Sequence, residues 1–399
     1  MAAVGRALVR RGHRVTFFHV QDLQASATTH GLEFTPLGLR DFPLGTLPAS
    51  VKKLSELTGR ASLKYAVSCA CRISDVILRD GPGAMRRAKV DVLLADQNEP
   101  AGGTVAEHLK LPFVSVCTSL PLNHEVLVPP PFVPWSYTAS PLGAVRNAIA
   151  YSLFKRLIAP INETLNCYRR MWHLRPVRQP DDCFSPAAQI AQMPREFDFP
   201  RRHLPGTFHY LGPWFDRAMP DSPFPFEKLD GRPLIYGSIG TLQSQNSHYF
   251  HIMAEACAGL DAQLVLALGH GQGEALRDLP GQPLVVNFAP QIELLSRAAM
   301  TITHAGMNTM QQSLYFGVPA VAIPLAHDQP AIAARLARTG AGIVLPPKKL
   351  TVESLRNAVR SVLPPDSRFR AEARRLGQAS RAAGGVERAA EIAEQAACA

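Results

Sequence analysis

The sequence contains no apolar run of about 18 residues, the length that a helix needs to cross a bilayer, and no charged start that leads into an apolar signal core. It also lacks a basic and aromatic nucleic-acid motif, although its net charge is +10. No GxGxxG turn follows the first visible strand of either half. A membrane-spanning protein, a nucleic-acid-binding protein and a nicotinamide dehydrogenase are therefore not predicted.

The cysteines show no pattern of a disulfide or metal framework. Seven are present, an odd number, without a CxxC pair or a zinc-type spacing, and Cys69 and Cys71 are separated by one residue. This usage is typical of a reduced protein. We therefore predict a cytoplasmic protein with no metal site.

Length and composition predict two domains. A chain of 399 residues exceeds a typical single core, and 46% hydrophobic with 19% charged residues is ordinary for a globular protein. The proline-rich passage over residues 201–225 is typical of an interdomain connection. We place the first domain at residues 1–214, the second at 215–381 and a last helical segment at 382–399.

Short apolar strands alternate with helical segments in both halves. Residues 15–20, 91–95 and 113–116 are such strands in the first half, and residues 284–288, 300–303 and 320–324 are such strands in the second. Strands that alternate with helices form parallel sheets wound on both faces. The predicted fold class is therefore α/β, with a doubly wound, Rossmann-like domain in each half.

The most informative segment joins a strand to a helix around Gly306. Residues 300–303 form the strand, and Asn308 or Thr309, each followed three residues later by a glutamine, opens the helix with capping-box spacing. Unpaired amides and the helix dipole at such a start favour an anion. The segment therefore predicts a phosphate-binding turn.

His304 adds a ring donor beside this turn. Such a donor suits a phosphate oxygen that gains charge while a bond breaks. An isolated histidine and glycine are more often an ordinary strand-end turn, so this role depends on the surrounding motifs.

Side chains that could bind a sugar or a base follow two further strands. Residues 320–324 lead to Asp328 and Gln329, an acidic-amide pair suited to sugar hydroxyls at the carboxyl end of a parallel strand. Phe288 ends another strand, with Gln291 close behind. The aromatic ring stacked on a flat base and the glutamine at its edge would form a uracil site; the alternative is that Phe288 belongs to the core.

Together these segments resemble the donor signature of the UDP-dependent glycosyltransferases of family 1, which have the GT-B fold of two Rossmann-like domains facing a cleft. The resemblance covers essentially the whole chain and rests on residues 288–291, 304–309, 317–319 and 328–329. It implies three groups of donor contacts: uracil is held by Phe288 and Gln291, the diphosphate by His304, Asn308 and Thr309, and the sugar by Asp328 and Gln329.

Residues 236–241 resemble the family's serine and glycine loop, which also touches the phosphates. The resemblance therefore adds these donor-site residues: Ser238, Gly240, Thr241 and Gly306. Two positions depart from the commonest pattern. Gln312 stands where a glutamate usually accepts both ribose hydroxyls, and Met307 where plant members carry tryptophan. An amide has one uncharged acceptor oxygen, so we expect a weaker ribose contact.

Within the family, the chain most resembles the bacterial branch that contains zeaxanthin glucosyltransferases. The similar runs are residues 96–102, 112–116, 183–186 and 197–201. By resemblance, Asp96 orients the catalytic histidine and Thr118 lies near the donor sugar. Without the family, an aspartate at a strand end is more typical of a helix cap. The helix from Gly385 resembles the last helix of the family, which crosses back onto the first domain.

The base expected from the resemblance is missing. In the family, a histidine after the first strand deprotonates the acceptor hydroxyl, but this chain opens with residues 1–11, which are typical of the first helix. We therefore expect that strand and its histidine to lie upstream of Met1. His13 follows the helix, about 15 Å from the catalytic edge by helix rise, and we interpret it as part of the helix stop.

The resemblance implies an inverting hexose transfer, with glucose as the expected sugar, from a UDP-sugar to a hydroxyl of a hydrophobic acceptor. A carotenoid such as zeaxanthin is the first expectation, and a polyphenol or a macrolide the second. The UDP-sugar is a co-substrate, and no cofactor is implied. A UDP-sugar epimerase of similar fold and a non-catalytic UDP-binding remnant are the alternatives.

Residues 144–170 mix apolar and basic side chains. This pattern is compatible with docking onto the anionic inner face of the membrane, near a lipid-soluble acceptor. It is more typical of an amphipathic helix that packs its apolar side on its own domain. Residues 128–135 form a stiff, proline-rich apolar loop that would either line an acceptor pocket or serve as a structural crossover.

Overall fold

The computed structural model describes residues 1–57, 59–216, 223–240, 247–269, 276 and 278–398. The elements of the first half are, in chain order, α1 (Ala2–Arg10), β1 (Thr16–His19), α2 (Gln24–Thr29), β2 (Glu33–Pro36), α3 (Thr46–Glu56), α4 (Gly59–Ala88), β3 (Leu93–Asp96), α5 (Ala101–Leu109), β4 (Phe113–Cys117), α6 (Pro141–Leu157), α7 (Ala159–Met171), β5 (Ala188–Ala191) and β6 (Phe208–Tyr210).

The second half continues with β7 (Leu234–Ser238), α8 (Ser247–Cys257), β8 (Gln263–Ala267), β9 (Leu284–Val286), α9 (Gln291–Arg297), β10 (Ala298–Thr303), α10 (Met307–Tyr315), β11 (Ala320–Ala322), α11 (Gln329–Thr339), β12 (Gly342–Val344), α12 (Val352–Val362), α13 (Arg368–Ala382) and α14 (Gly385–Ala397).

The strands of the first half form two parallel sheets. β1 pairs with β2, and β3, β4, β5 and β6 form a four-stranded sheet in that order. Every residue of β4 and β5 is buried, as expected for parallel strands covered on both faces. The carboxyl ends of β3 and β4 lie side by side, which brings Asp96 next to the residues that follow Cys117.

The second half forms one six-stranded parallel sheet in the order β12-β11-β10-β7-β8-β9. From β7 the chain winds outward in one direction, and from β10 it winds outward in the other. In a doubly wound sheet this reversal leaves a crevice at the carboxyl ends of the two central strands. Ser238 and Thr303 are paired at that end of β7 and β10, so the topology itself locates a binding crevice there.

The last helix returns to the first half of the chain. Ala389, Ala390 and Ala393 of α14 pack in one buried cluster with Val4 and Leu8 of α1. Polar contacts close the same interface, because Glu394 accepts hydrogen bonds from Arg11 at 2.7 Å and from the His13 ring at 2.8 Å. His13 therefore lies at the end of α1, as the interpretation of a helix stop predicts.

An apolar interface joins the two halves beside the crevice. Leu120 and Ala191, which follow or end strands of the first half, share a buried cluster with Ala305, Met307 and Met310 of the second half. Met307, which stands where plant members of the family carry tryptophan, thus packs between the two halves with 6% of its surface exposed.

A buried ion cluster around Asp198 lies at the same interface. The Asp198 carboxylate accepts hydrogen bonds from Arg335 of α11 at 2.8 Å, from Arg201 at 2.8 Å and from the Tyr210 hydroxyl at 2.8 Å. Burial alone would raise the pKa of Asp198, but the two guanidinium charges lower it well below its usual range. Arg335 is completely buried and also lies over the Phe199 ring, 4.2 Å from its centroid. One carboxylate therefore links the two halves.

Most predicted elements are confirmed to within one or two residues, including α1, the strands named above and the helix from Gly385. Residues 217–222 of the predicted connection lie outside the described residues, and the domain boundaries stay predictions. Within the described part of the chain, no helix is both long and apolar enough to cross a membrane.

Replacing Asp198 with Asn should destabilise the protein strongly, because two buried guanidinium groups would lose their counter-charge. We expect a loss of about 3–5 kcal/mol, measured by denaturant unfolding. Glu372→Gln, which breaks the exposed pair with Arg375, is the control and should cost less than about 1 kcal/mol. Similar losses in the two variants would contradict a special role of the Asp198 cluster.

Candidate functional site

The candidate site is the crevice between β7 and β10. Ser238 ends β7 and is followed by Gly240, and Thr303 ends β10 and is followed by His304 and Gly306. Both loops therefore leave the sheet at the point where the topology reverses. The structure brings these predicted residues together. Thr241, predicted with them, lies outside the described residues.

His304 fits between two glycines. A Cβ atom added at Gly306 would lie 2.5 Å from the His304 Nε2 atom, and one added at Gly240 would lie 2.7 Å from the same atom. No side chain tolerates such contacts, and Gly240 also has a φ of +73°, which favours glycine. The two glycines are therefore needed to let the ring sit at the crevice floor.

The His304 ring is neutral at pH 7. Burial lowers its pKa to about 4, although a hydrogen bond to the Ser238 backbone and the charge of Asp328 oppose this effect. A neutral imidazole has one N–H, which here donates to the Ser238 carbonyl. The ring must take up a second proton, or give up that hydrogen bond, before it can donate to an anion in the crevice.

The start of α10 differs from the prediction. Its N-cap is Gly306, with no side-chain cap, and the helix begins at Met307. Asn308 and Thr309 therefore lie inside the first turn, where neither can be the N-cap, and the predicted capping boxes are wrong. The first-turn amides remain at the crevice without a side-chain cap, and a helix start of this kind favours an anion. The preceding Ala305 has a φ of +67°, a strained conformation often found at functional sites.

A second group of predicted residues forms a hydrogen-bond network. The Gln291 Oε1 atom accepts from the Tyr236 hydroxyl at 3.1 Å and from the Thr309 hydroxyl at 3.3 Å. Its Nε2 atom donates to the Gln312 Oε1 atom at 2.5 Å. The one acceptor oxygen of Gln312 is therefore already engaged, and Gln312 presents its N–H groups to a ligand.

Phe288 lies close to this network in sequence and is 48% exposed. The alternative that Phe288 belongs to the core is therefore wrong. A half-exposed aromatic ring lies at the protein surface, where such rings can also contact a ligand.

Asp328 and Gln329 lie at the start of α11, on the same edge of the sheet. The Gln329 Oε1 atom accepts from the backbone amides of Leu325 and Ala326, both at 2.8 Å, so its Nε2 atom is the group left for a ligand. Asp328 accepts a short hydrogen bond from the Ser119 hydroxyl of the first half. The predicted sugar pair thus lies where the two halves meet.

A second link between the halves runs through Gln192. Its Nε2 atom donates a short hydrogen bond to the Thr118 carbonyl and also lies 3.2 Å from the Asn308 Oδ1 atom. The Thr118 hydroxyl in turn donates to the Asp96 carboxylate at 2.8 Å. Asp96, Thr118 and Asn308 are therefore connected through one buried amide.

The residues of this link border a cavity of about 480 Å³. Its lining comes from both halves and consists of Met1, Ala2, Ala3, His30, Thr118, Gln192, Trp214, Phe215, Asp216 and Asn308. A larger cavity of about 550 Å³ lies beside the Asp198 cluster and contains no predicted site residue.

Asp96 is held by its own turn. Its carboxylate accepts from the Asn98 amide at 2.9 Å, and the N-cap of the next helix is Pro100. Asp96 is therefore not a helix cap, which was the alternative for this residue. Burial, with a smaller contribution from the Asp96 charge, raises the pKa of nearby Glu99 to about 8, against the opposing effect of a hydrogen bond from Ser74. Glu99 is thus a neutral acid at pH 7.

His19 ends β1 near Asp96. Burial lowers its pKa, and the Asp96 charge opposes the shift. Its Nδ1 atom accepts a hydrogen bond from the Val20 amide at 2.9 Å, so the neutral ring carries its proton on Nε2. In this arrangement neither ring nitrogen is ready to accept a proton from a substrate.

The comparisons with known proteins agree with this geometry. The family model described as UDP-glucoronosyl and UDP-glucosyl transferase matches residues 38–380. The chain belongs to this glycosyltransferase family.

Its relatives include two proteins named zeaxanthin glucosyltransferase. One, from Pantoea ananas, is 35% identical over 99% of this chain and 92% of its own length. The other, from Pseudescherichia vulneris, is 35% identical over 85% of this chain and 81% of its own length. The solved structure of the glycotransferase of kitacinnamycin matches 99% of this chain and 94% of its own, with a TM-score of 0.76 and 23% identity. The predicted GT-B fold is confirmed.

Sequence reasoning missed several residues of this glycosyltransferase site. Gln192 and Ser119 of the first half form hydrogen bonds with the predicted donor residues Asn308 and Asp328, and Glu99 lies beside Asp96. Each follows the end of a parallel strand by one to three residues, which is the position where functional side chains collect. That position was the available signal, but it does not reveal the partner across the cleft.

Gln192 should position the Asn308 amide. Since the Gln192 Nε2 atom donates to the Asn308 Oδ1 atom, the Asn308 Nδ2 group is the part of this amide that we expect to donate to a ligand. Gln192→Met keeps the volume but removes this donor, and we expect UDP binding by the glycosyltransferase to weaken by about 1 kcal/mol, roughly fivefold. In an Asn308→Ala background the same change should have no further effect, as measured by calorimetry in a double-mutant cycle.

Gln189→Met is the matched control for this cycle. Gln189 is also a buried amide, but it contacts Asn123 rather than a predicted donor residue. It should leave the affinity for UDP unchanged. Additive effects of Gln192→Met and Asn308→Ala would rule out positioning.

His304 should make the enzyme less stable in mild acid. The unfolded histidine has an ordinary pKa of about 6.5, whereas burial lowers that of the folded one to about 4. Between these values the unfolded chain binds more protons, so the free energy of unfolding falls as the pH falls. His304→Gln should flatten this dependence by up to about 3 kcal/mol. Parallel curves for the two proteins between these pH values would contradict a buried, neutral His304.

Proposed function

We propose that this glycosyltransferase moves a hexose, glucose in the first instance, from a UDP-sugar to a hydroxyl of a hydrophobic acceptor, with inversion at the anomeric carbon. The observation that carries the proposal is the convergence of the His304 turn, the Gln291 network and the Asp328 pair at one topological switch point. Each group fits a different part of a nucleotide sugar, and their order along the sheet edge follows the order of those parts.

The diphosphate would lie over the start of α10. The uncapped amides of this helix supply donors, and the helix dipole favours negative charge. Asn308 adds its Nδ2 group from the same turn. A bound diphosphate raises the pKa of the His304 ring, so His304 would take up a proton from solvent when the donor binds and would donate a hydrogen bond to the diphosphate as it leaves. Stabilisation of the leaving group thus falls to the chain's own donors.

The base and ribose would lie against Phe288, Gln291 and Gln312. Phe288 is half-exposed, and Gln291 and Gln312 are already bonded to one another at 2.5 Å. The pair must open, or Gln312 must donate rather than accept, when a ribose binds. The ribose contact is therefore weaker than a glutamate would make it, and the affinity for the nucleotide depends more on the base and the diphosphate.

The sugar would be read by Asp328 and by the Nε2 group of Gln329. Asp328 bonds to Ser119 of the first half, so a sugar hydroxyl replaces or joins this contact between the halves. Binding of the donor sugar would therefore engage both domains at once.

The acceptor would enter from the first half, where the cavity beside Thr118 is lined partly by Trp214 and Phe215. The zeaxanthin glucosyltransferases among the relatives support a carotenoid as the first candidate, with a polyphenol or a macrolide as the second. Asp96 would orient the base that the family resemblance implies, while the acceptor oxygen attacks in line with the departing diphosphate.

His304→Ala should lower the rate of sugar transfer without unfolding the protein. We expect turnover of UDP-glucose to fall by about 10²–10³-fold, as for loss of one preorganised donor to a developing charge. The assay follows glucosylation of zeaxanthin in detergent. His209→Ala, which changes a half-buried histidine in the other sheet, is the matched control and should remain active. An active His304→Ala enzyme would overturn the assignment of this residue.

Calorimetric titration with UDP, dTDP and ADP tests the donor separately. The proposal requires UDP to bind with the highest affinity. Absence of UDP binding by a folded protein would overturn the donor site. Release of a sugar product without any acceptor alcohol would instead favour an epimerase.

A further inference from the structure

Helix α6 packs onto its own domain with one face only. Its buried residues are Gly143, Asn147 and Ala150. Asn147 donates to the Val126 carbonyl at 2.9 Å, and the Phe154 ring stacks on Phe132 at 4.5 Å between centroids. The proline-rich loop at residues 128–135 therefore packs as a structural crossover beneath the helix, with Val128 fully buried.

The opposite face of α6 is apolar and exposed. Leu142 is 83% exposed, and Val145, Ile149 and Leu153 are each 58% exposed. Their spacing of three or four residues places them in one row along the helix, about 16 Å long by helix rise. The expectation that the apolar side of residues 144–170 packs on the domain is therefore wrong for Val145, Ile149 and Leu153. We call this row the α6 stripe.

In the stretch of sequence that contains the α6 stripe, all formally charged side chains are positive. Between Glu125 and Glu163 the chain contains no acidic residue. Lys155 and Arg156 lie in the last turn of α6, and both are exposed. Arg146 lies over the Trp135 ring, 4.7 Å from its centroid. Basic residues and tryptophan beside exposed aliphatic side chains are the composition of a surface that binds the interface of an anionic bilayer.

A second copy of the chain fits this surface less well. Two α6 stripes packed against each other would bring Lys155 and Arg156 of both copies into the same interface, and the helix has no carboxylate to pair with them. Buried charges without partners disfavour association. An anionic lipid headgroup supplies the missing negative charge, while the acyl region accepts the aliphatic side chains.

We propose that the α6 stripe docks the enzyme on an anionic lipid surface, with α6 lying in the plane of the interface. The aliphatic residues enter the boundary between headgroups and acyl chains, and the basic last turn contacts the phosphates. The first half, which we propose receives the acceptor, then faces the phase in which an apolar acceptor is dissolved. Docking itself needs neither donor nor acceptor, so it stands or falls apart from the proposed transfer reaction.

Vesicle co-sedimentation tests this docking. The whole protein, without nucleotide, should bind vesicles of phosphatidylcholine mixed with phosphatidylglycerol and should bind pure phosphatidylcholine far more weakly. Leu142→Gln combined with Ile149→Gln should weaken binding to the anionic vesicles about tenfold or more. Lys155→Gln combined with Arg156→Gln should weaken it by a factor that shrinks as salt is added.

The matched control is Leu39→Gln combined with Leu44→Gln. These leucines are 54% and 73% exposed but lie outside α6, so their replacement should leave vesicle binding unchanged. All variants should keep the unfolding midpoint and the UDP affinity of the parent protein, because the replaced side chains are exposed.

Three outcomes would overturn the proposal. The first is that the parent protein does not bind anionic vesicles at low salt. The second is that the α6 variants and the control variant lose binding equally. The third is that the parent protein sediments as a dimer and that Leu142→Gln with Ile149→Gln converts it to a monomer, which would make the α6 stripe an interface between copies. UDP binding, measured on the same samples, reports on the donor site independently of all three.

Discussion

The burial of one carboxylate between two guanidinium groups fixes the geometry on which the site depends. Asp198 belongs to the first half of the chain, and Arg335 belongs to the second. Because both side chains are buried, separation of the halves would leave Arg335 without its counter-charge, while Asp198 would keep only Arg201 of its own half. The halves are therefore held at the distance at which Ser119 reaches Asp328 and Gln192 reaches Asn308. The hydrogen bonds Ser119–Asp328 and Gln192–Asn308 are individually weak. They persist because the buried Asp198 cluster holds the two halves at a fixed distance.

The sequence predicts the elements of the donor half well because each depends on local pattern. Strands of β-branched residues, the glycine turn at Gly306 and the polar residues after each strand are all visible in short windows. The doubly wound order then brings Ser238 and His304 together without further information. The start of α10 was mispredicted because capping spacing is also satisfied by residues within a first turn. Thr309 forms its side-chain hydrogen bond with Gln291, eighteen residues earlier, and no local pattern contains that partner.

Contacts across the cleft are harder to predict for the same reason. Gln192 and Ser119 are ordinary polar residues in sequence, and their roles depend on how two separately folded halves meet. The amphipathic pattern of α6 was ambiguous for a different reason, since the helix is apolar on two opposite faces. Periodicity counts apolar positions but does not say which face a neighbouring element covers. The loop at residues 128–135 covers one face, and only the folded chain shows that the other is left exposed.

The hydrogen bonds around Gln192 also connect the two chemical tasks of a transfer reaction. We propose that Asp96 serves the acceptor and Asn308 the diphosphate, and Thr118 and Gln192 connect these two residues through hydrogen bonds. The Asp96 carboxylate orients the Thr118 hydroxyl, the Thr118 carbonyl orients the Gln192 amide, and that amide orients the Asn308 side chain. A diphosphate that draws Asn308 toward itself therefore pulls on the residues around Asp96, because amide groups with fixed partners cannot reorient singly. Occupation of the donor site would in this way sharpen the placement of Asp96, the residue that we propose orients the base.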